Sequence, residues 1–246
     1  MKKKVFIVGG SGKIGNYITN YLAKKNEFEI IIVDKNKPKF KNFNSFIKFD
    51  LLNFKSYEKL KSEILKNYKT IDILINCAAM VGTNKDKGWK KGFQFQSVQL
   101  WQKCLDTNLT SIFLIIRILL SLLKKSKNPK IINISSIYGF TAPRFDIYKN
   151  TNIKNQLAYS VSKAGVIQLT KWFSSYLDKK FSINTISLGG LSDEYMKKKF
   201  KKNYSKYTLK KRMLNLEDII PAIDYLISSE YITGQNIVVD GGWSVY

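Results

Sequence analysis

The chain has 246 residues and 44% hydrophobic content, which suits one large α/β domain or two small ones and excludes a disordered chain. It contains no histidine, and Cys77 and Cys104 lack metal-ligand spacing, which excludes a zinc site and a Ser-His or Cys-His nucleophile. We therefore expect no metal. The formal charge of +24 would suit a nucleic acid or a membrane surface. Only Arg117, Arg144 and Arg212 offer bidentate contacts, so a solvated lysine coat is favoured over specific nucleic-acid binding.

Neither the start of the chain nor its longest apolar stretch predicts membrane insertion. The start is basic, but the apolar run from Val5 to Val8 is too short for a signal peptide. The stretch from Leu109 to Leu123 is interrupted by polar residues and is shorter than the ~20 residues that a spanning helix requires. We expect a cytoplasmic protein.

The first predicted elements form a strand, a glycine turn and a helix. Apolar residues over 4–8 predict the strand, the turn runs from Gly9 to Gly15, and helical periodicity follows it. A second buried strand at 30–33 ends in Asp34, about 20 residues beyond the glycines. Glycines let a backbone approach a pyrophosphate at a helix N-terminus, and Asp34 is positioned to accept from ribose hydroxyls. This is the pattern of a dinucleotide-binding unit.

The alternation of strands and helices continues to the end of the chain. Further strands are predicted at 46–49, 71–75, 130–134, 182–186 and 236–239, and helices near 56–67, 98–125, 159–178 and 216–229. This rhythm, without a linker, predicts a single α/β domain over 1–246 with a doubly wound, seven-stranded parallel sheet. The small residues from Asn76 to Ala79 would let a cofactor lie across the end of the fourth strand. A loop at 82–95 precedes the 98–125 helix, which is apolar on two sides and therefore predicts a subunit interface.

Tyr159 and Lys163 are four residues apart in a predicted helix, so their side chains share one face. An ammonium beside a phenol in a partly dry cleft favours the phenolate, which makes a proton-transfer site possible. Pairs of this kind also occur on ordinary helix surfaces, so the pair alone does not establish a site.

Several motifs, taken in order, resemble the short-chain dehydrogenase/reductase family. They are Gly9 to Gly15, Asp34, Asp50, Asn76 to Ala79, Asn108, Ser136, Tyr159 with Lys163, Tyr231 to Gln235, and Asp240 to Gly242. The resemblance covers almost the whole chain and implies a single-domain Rossmann fold that transfers hydride between a nicotinamide and a carbonyl or alcohol carbon. The glycine turn and the loop after Ser136 are similar to those of members encoded with bacterial surface-sugar and flagellin-modification genes.

The resemblance also implies a role for individual residues. Tyr159 would be the acid/base, and Lys163 would lower its pKa and hydrogen-bond the nicotinamide ribose. Ser136 would hold the substrate oxygen, and Asn108 would anchor a water linked to Lys163. The implied cofactor contacts are Gly9, Ser11, Gly12, Lys13, Ile14, Gly15, Asp34, Asp50, Leu51, Asn76, Ala78, Tyr159, Lys163 and Gly189.

Some positions depart from the family pattern. Lys13 replaces a common glycine, Leu188 replaces a proline, and Asp193 stands where a threonine is frequent. Asp34 would repel a 2′-phosphate, which favours NAD, while Lys13 and Lys35 flank the same pocket and leave NADP possible.

The sequence carries less information about the substrate. The gap between Ser136 and Tyr159 is longer than is usual in the family, and within it Arg144 and Asp146 would either grip sugar hydroxyls or a phosphate, or form an ion pair that stabilises the loop. A lid is expected at about 190–213. Its lysines would attract an anionic substrate or form a solvated helix face.

The leading hypothesis is an NAD-dependent oxidoreductase acting on a small molecule, a sugar or sugar derivative in glycan biosynthesis. The alternatives are a 3-oxoacyl thioester reductase of the same family and a non-catalytic dinucleotide-binding or nucleic-acid-associated protein. We expect a homodimer or homotetramer through the helices at 98–125 and 156–178.

Overall fold

Seven parallel strands form one sheet in a computed structural model that describes residues 2–81, 89, 92–151 and 154–245. The strands are β1 Lys3–Val8, β2 Phe28–Asp34, β3 Ser45–Lys48, β4 Ile73–Asn76, β5 Lys130–Ser136, β6 Ser182–Leu188 and β7 Asn236–Val239. Their order in the sheet is β3-β2-β1-β4-β5-β6-β7. The predicted seven-stranded parallel sheet is confirmed.

Helices connect the strands. They are α1 Lys13–Ala23, α2 Tyr57–Asn67, α3 Val98–Leu105, α4 Ser111–Leu123, α5 Leu157–Tyr176, α6 Lys198–Ser205 and α7 Ile220–Ser228. The helix predicted at 98–125 is divided by a π-helical turn, Asp106–Thr110. A 3₁₀ turn, Glu217–Ile219, precedes α7. The predicted loop at 82–95 lies largely outside the described residues.

Both faces of the sheet are covered, because successive side chains of a strand point to opposite faces. On β1, Phe6 belongs to one core cluster together with residues of α2, α4 and α5. The next residue, Ile7, belongs to a second cluster with residues of α1 and α7. Strands buried on both faces are typical of parallel sheets with helices on each side, and this arrangement makes the fold doubly wound.

The helical stretch Val98–Leu123 is long and apolar enough, by length and composition alone, to cross a membrane. In the structure its α4 part packs into the core, where Ile112, Ile116 and Leu119 are buried in the cluster beneath the sheet. Its apolar character is therefore that of a core helix.

The topology determines where a ligand can bind. The strand order reverses between β1 and β4, and the connections leave a crevice beyond the carboxyl ends of these strands. A third, smaller core cluster, which includes Ile137, Tyr148, Phe200, Tyr204 and Trp243, lies beside this crevice. It joins α6 to the segment after β5.

Candidate active site

A cavity of about 940 Å³ lies across the carboxyl ends of the strands. Most of the residues nominated from the sequence line it: Gly9, Ser11, Gly12, Lys13, Ile14, Gly15, Asp34, Asp50, Leu51, Ala78, Ser136, Tyr159, Lys163 and Gly189. The sheet brings these segments together from distant parts of the chain. Within the described ranges, no group of three or more Cys, Asp or Glu side chains could hold a metal ion.

The glycine turn after β1 brings backbone to the floor of the cavity. A Cβ atom added to Gly9, whose φ is +80°, would lie 2.5 Å from the backbone nitrogen of Ala78. A Cβ atom on Gly15 would lie 2.4 Å from the carbonyl oxygen of Gly9. Side chains are therefore excluded at both positions, and the N-terminus of α1 stands against the cavity. A helix N-terminus favours negative charge, so this cradle fits the pyrophosphate of a dinucleotide.

Asp34 lies at the end of β2, at one side of the cavity. Its carboxylate accepts hydrogen bonds from the backbone N–H groups of Ser11, at 3.1 Å, and of Asn36, at 3.0 Å. The Ser11 hydroxyl donates to the carbonyl of Asn36 at 2.6 Å. These bonds fix the carboxylate in position and leave lone pairs that can accept from hydroxyl groups. Asp50 is held similarly, by the N–H of Leu52 at 3.0 Å.

Lys13 bridges the glycine turn and the segment that follows β6. Its Nζ atom lies 2.9 Å from the carbonyl oxygen of Ser192 and 2.9 Å from the carboxylate of Asp193. The hydrogen bond from Lys13 holds the pKa of Asp193 below its usual range. Two positions at which the sequence departs from the family pattern therefore pair with each other.

Tyr159 and Lys163 lie on the face of α5 that borders the cavity. The Nζ atom of Lys163 is 5.8 Å from the centroid of the Tyr159 ring and donates to the carbonyl of Ile134 at 2.9 Å. Lys163 is buried and Tyr159 is half-buried. Ser136, at the end of β5, completes the group, and its Oγ accepts from the N–H of Tyr138 at 3.3 Å.

The protonation states differ from the sequence-based expectation. Burial raises the pKa of Tyr159 to about 12, although a hydrogen bond with Ser136 acts in the opposite direction. Burial also lowers the pKa of Lys163 to about 8. Desolvation is the dominant effect on the phenol, so the pKa of Tyr159 is not lowered below its ordinary value as the sequence led us to expect. At neutral pH, Tyr159 is therefore a phenol that can donate a proton.

Asn108 lies in the π-helical turn and is fully buried. Its Oδ1 atom accepts from the N–H of Met80 at 2.6 Å, and its Nδ2 atom donates to the hydroxyl of Ser162 at 3.0 Å. Asn108 is not among the described residues that line the cavity. Its side chain connects the segment after β4 with α5, next to Lys163.

Asn76 is not among the described residues that line the cavity, so its expected contact with the cofactor is not seen. Its Nδ2 atom donates to Oδ1 of Asn133 on the neighbouring strand at 2.8 Å. Asn133 in turn donates to the hydroxyl of Thr170 on α5 at 2.9 Å. The pleat of β4 directs Asn76 into the sheet face, and Cys77 and Ala78 line the cavity instead.

Arg144 is likewise absent from the described lining, so the expected substrate contact is not supported. Its guanidinium lies 4.7 Å from the ring centroid of Tyr207 and 5.7 Å from that of Trp243. Asp146 accepts a hydrogen bond from the Tyr207 hydroxyl. Both side chains therefore attach their loop to the segment after α6. Cation–π contacts of this kind stabilise by about 0.5–2 kcal/mol.

The expected lid segment contributes apolar and aromatic side chains to the cavity, namely Met196, Phe200 and Tyr204. The lysines between 197 and 211 are not among the described lining residues. Phe200 and Tyr204 are buried, whereas Lys198, Lys199 and Lys202 are exposed. Helix α6 is thus amphipathic, with its charges on the outer face.

Sequence reasoning missed several lining residues. They are Tyr138, Tyr148, Asn155 and Gln156, whereas Met196, Phe200 and Tyr204 fall within the expected lid without having been assigned individually. Two of them are close in sequence to residues that were assigned to the site, because Tyr138 follows Ser136 by two residues and Gln156 precedes Tyr159 by three. This proximity could have indicated that they line the cavity. Nothing in the spacing indicates that Tyr148, within the long gap, returns to the cavity.

A family model described as short chain dehydrogenase matches residues 3–204. The chain belongs to this family. It is therefore a nicotinamide-dependent oxidoreductase of the short-chain dehydrogenase type.

The relatives cover the chain from end to end. The post-translational flagellin modification protein A of Campylobacter coli is 31% identical, over 99% of this chain and 98% of its own length. A 3-oxoacyl-[acyl-carrier-protein] reductase of Buchnera aphidicola is 27% identical, over 98% of this chain and 97% of its own length. A crystal structure of a short chain dehydrogenase from Leptospira borgpetersenii, with bound NAD⁺, has 30% identity and a TM-score of 0.87, covering 99% of this chain and 93% of that one.

Proposed function

We propose that this dehydrogenase uses NAD to interconvert a hydroxyl and a keto carbon of a sugar or sugar derivative. The observation that carries the proposal is that one cavity unites the glycine cradle, Asp34 and the group Ser136, Tyr159 and Lys163. The first two suit a dinucleotide, and the last three suit proton exchange with a substrate oxygen.

The roles of the side chains follow from their hydrogen bonds. The nicotinamide, when bound, supplies or accepts the hydride at the substrate carbon. The Ser136 hydroxyl accepts from the N–H of Tyr138 and bonds to Tyr159, so a substrate oxygen bound between Ser136 and Tyr159 would take over the Ser136 proton. Tyr159, a phenol at neutral pH, donates its proton to that oxygen during reduction and recovers it during oxidation.

Lys163 and Asn108 support this exchange. The charged form of Lys163, fixed against the Ile134 carbonyl, stabilises the phenolate that remains after Tyr159 has given up its proton. Asn108 bonds to Met80 and Ser162 and so keeps α5 in register with the end of β4. Asn108 is thus a positioning residue in this proposal.

The preference for NAD is supported by the charge at the end of β2. A 2′-phosphate in place of a ribose hydroxyl would meet the Asp34 carboxylate, which the Ser11 and Asn36 N–H groups hold in position. The Leptospira relative has NAD⁺ bound. Lys35 also lines this part of the cavity and would reduce the repulsion of a phosphate without removing it.

A sugar substrate is supported by the Campylobacter relative, which is named for flagellin modification, and by the hydroxyl-rich lining near Tyr159. A 3-oxoacyl thioester reductase is the second candidate. The Buchnera relative carries that name, and Met196 and Phe200 offer an apolar surface. The two candidates differ in whether the substrate presents hydroxyl groups to the cavity.

The test is a panel of keto-sugars, sugar nucleotides and 3-oxoacyl thioesters, assayed with NADH and with NADPH for loss of nicotinamide absorbance. We expect reduction of a keto-sugar with NADH and loss of at least about 100-fold in rate in Tyr159→Phe, which keeps the ring but not the exchangeable proton. Turnover of the thioesters alone would favour the second candidate. Salt-sensitive DNA binding without turnover of any class would refute the enzymatic proposal.

A homo-oligomer is also proposed. Leu157, Val161, Trp172 and Tyr176 are exposed along α5, and Phe113 is exposed on α4. An apolar and aromatic surface of this kind on a soluble chain favours association with a second copy. The cytoplasmic location and the lid function of 190–213 stay predictions.

A further inference from the structure

Two tyrosine hydroxyls form a pair beside the proposed catalytic group. Tyr138 follows β5, Tyr148 ends the short helical turn Phe145–Tyr148, and their hydroxyl oxygens are 2.8 Å apart. The side-chain amide of Asn155 lies 3.5 Å from the Tyr148 hydroxyl. All three residues line the cavity. Tyr148 comes from the long gap between Ser136 and Tyr159, whose contribution to the site could not be assigned from the sequence.

The pair has unused hydrogen-bonding capacity. Burial raises the pKa of both phenols, so both are protonated at neutral pH. Two phenols carry two protons and four lone pairs, and their mutual hydrogen bond uses one proton and one lone pair. Asn155 occupies one further lone pair of Tyr148. Among the described residues, the remaining phenol proton has no acceptor, so the pair can offer one donor and two acceptor positions to a ligand.

The pair is close to the reacting group. Ser136 accepts a hydrogen bond from the backbone N–H of Tyr138, which puts these two residues in one tight turn. Tyr138 and Tyr148 line the same cavity as Ser136 and Tyr159. A substrate oxygen held by Ser136 and Tyr159 would therefore have its neighbouring carbons near the pair.

An aromatic surface adjoins the pair, because the Phe200 ring lies 5.7 Å, centroid to centroid, from the ring of Tyr148. Phe200 and Tyr204 of α6 line the cavity, and the Tyr204 hydroxyl accepts from the N–H of Gly190 at 2.5 Å. An aromatic surface beside phenolic hydroxyls suits a ring with C–H groups on one face and hydroxyls at its edge. An unbranched acyl chain would cover the tyrosine pair and leave its polar atoms without partners.

We propose that Tyr138 and Tyr148 determine specificity by hydrogen bonding a hydroxyl group on a carbon next to the reacting carbonyl. The proposal rests on the proposed oxidoreductase function and deepens it, since it assigns the substrate to the class of hydroxylated ring ketones. A site built to bond a hydroxyl discriminates strongly against the analogue that lacks it, because its buried polar groups are then unpaired.

The test compares two ring ketones that differ in their hydroxyls, namely 2-inosose and cyclohexanone, with NADH as the reductant. We expect the wild type to prefer 2-inosose by about 100-fold or more in kcat/KM. Tyr148→Phe and Tyr138→Phe should each reduce that preference by about tenfold, chiefly through KM, with cyclohexanone reduction changed by less than about threefold. Tyr225→Phe is the matched control, because Tyr225 is exposed on α7 and is outside the described lining.

The outcomes separate this inference from the function on which it rests. Reduction of cyclohexanone without preference for 2-inosose would keep the oxidoreductase and overturn hydroxyl recognition. An equal loss on both ketones in the Phe variants would also overturn it, because the pair would then only support Tyr159.

If the wild type reduces neither ketone, hydroxyl recognition is tested by calorimetric titration of myo-inositol into the NAD-saturated protein. Weaker binding to Tyr148→Phe than to Tyr225→Phe supports the proposal, and no binding to the wild type overturns it. Failure of the proposed function itself would appear as no turnover with any substrate of the panel, whatever the inositol result.

Discussion

Replacing Lys163 by Met should stabilise the protein at neutral pH while abolishing its activity. The side chain is 2% exposed, and burial lowers its pKa from 10.5 to about 8. A pKa shift of this size means that keeping the amine charged in the folded state costs about 3 kcal/mol. Met fills a similar volume without charge, but the Ile134 carbonyl loses its hydrogen bond from Lys163, at a cost of about 1–2 kcal/mol. We expect a net gain in unfolding free energy of about 1–2 kcal/mol at pH 7.

The gain should depend on pH in a definite direction. The unfolded lysine holds its proton up to a pH near 10.5, whereas the folded lysine holds it only up to about 8. The unfolded state therefore binds more protons between these two values, and the wild type gains stability as the pH rises through them. Below pH 8 the folded protein carries the full free-energy cost of burying the charged Lys163 amine. The advantage of Lys163→Met should therefore be largest near pH 7 and should be lost near pH 10.5.

Urea unfolding at the two ends of this pH window, at equal protein concentration, measures the effect. Lys171→Met is the matched control, since Lys171 lies on the same helix and is exposed. Its effect should stay within about 0.5 kcal/mol at both pH values. A Lys163→Met protein that is less stable than the wild type at pH 7, or a difference that does not change with pH, would refute the reasoning.

Three further predictions concern the cofactor, the lid and the interface. Asp34→Asn keeps the geometry at the end of β2 but removes the negative charge. The ratio of KM for NADP to KM for NAD should therefore fall by about tenfold, and an unchanged ratio would contradict the role of the carboxylate. Asp193→Asn weakens the ion pair with Lys13, so trypsin should cleave the segment 197–212 several-fold faster. Slower cleavage would be inconsistent with an ion pair that holds this segment in place. Trp172→Glu inserts a charge into the exposed face of α5, and sedimentation should show a smaller species; an undiminished mass would argue against that face as the interface.

Much of the fold could be predicted from local patterns. Buried runs of β-branched residues alternate with helical periodicity, and these signals act within one segment at a time. The glycine turn and the spacing of Tyr159 and Lys163 are equally local, because chirality and the helical repeat determine them within a few residues. The family resemblance added the role of Ser136, which lines the cavity.

The relations between segments could not be predicted in this way. The direction of Asn76 depends on the pleat of β4 and on its partner Asn133, and a shift of one residue would reverse it. The position of Arg144 depends on rings contributed by Tyr207 and Trp243, which are distant in the sequence. A spacing rule carries no information about such contacts.

The sequence by itself determined the doubly wound sheet, the glycine cradle and the helix face shared by Tyr159 and Lys163, because each follows from short-range geometry. Only the tertiary structure decided that desolvation raises the pKa of Tyr159, and that Tyr148 returns from its long loop to face Tyr138. Burial and contacts between distant segments arise when the chain packs against itself, so the protonation states and the substrate-facing wall of this enzyme exist only in the folded protein.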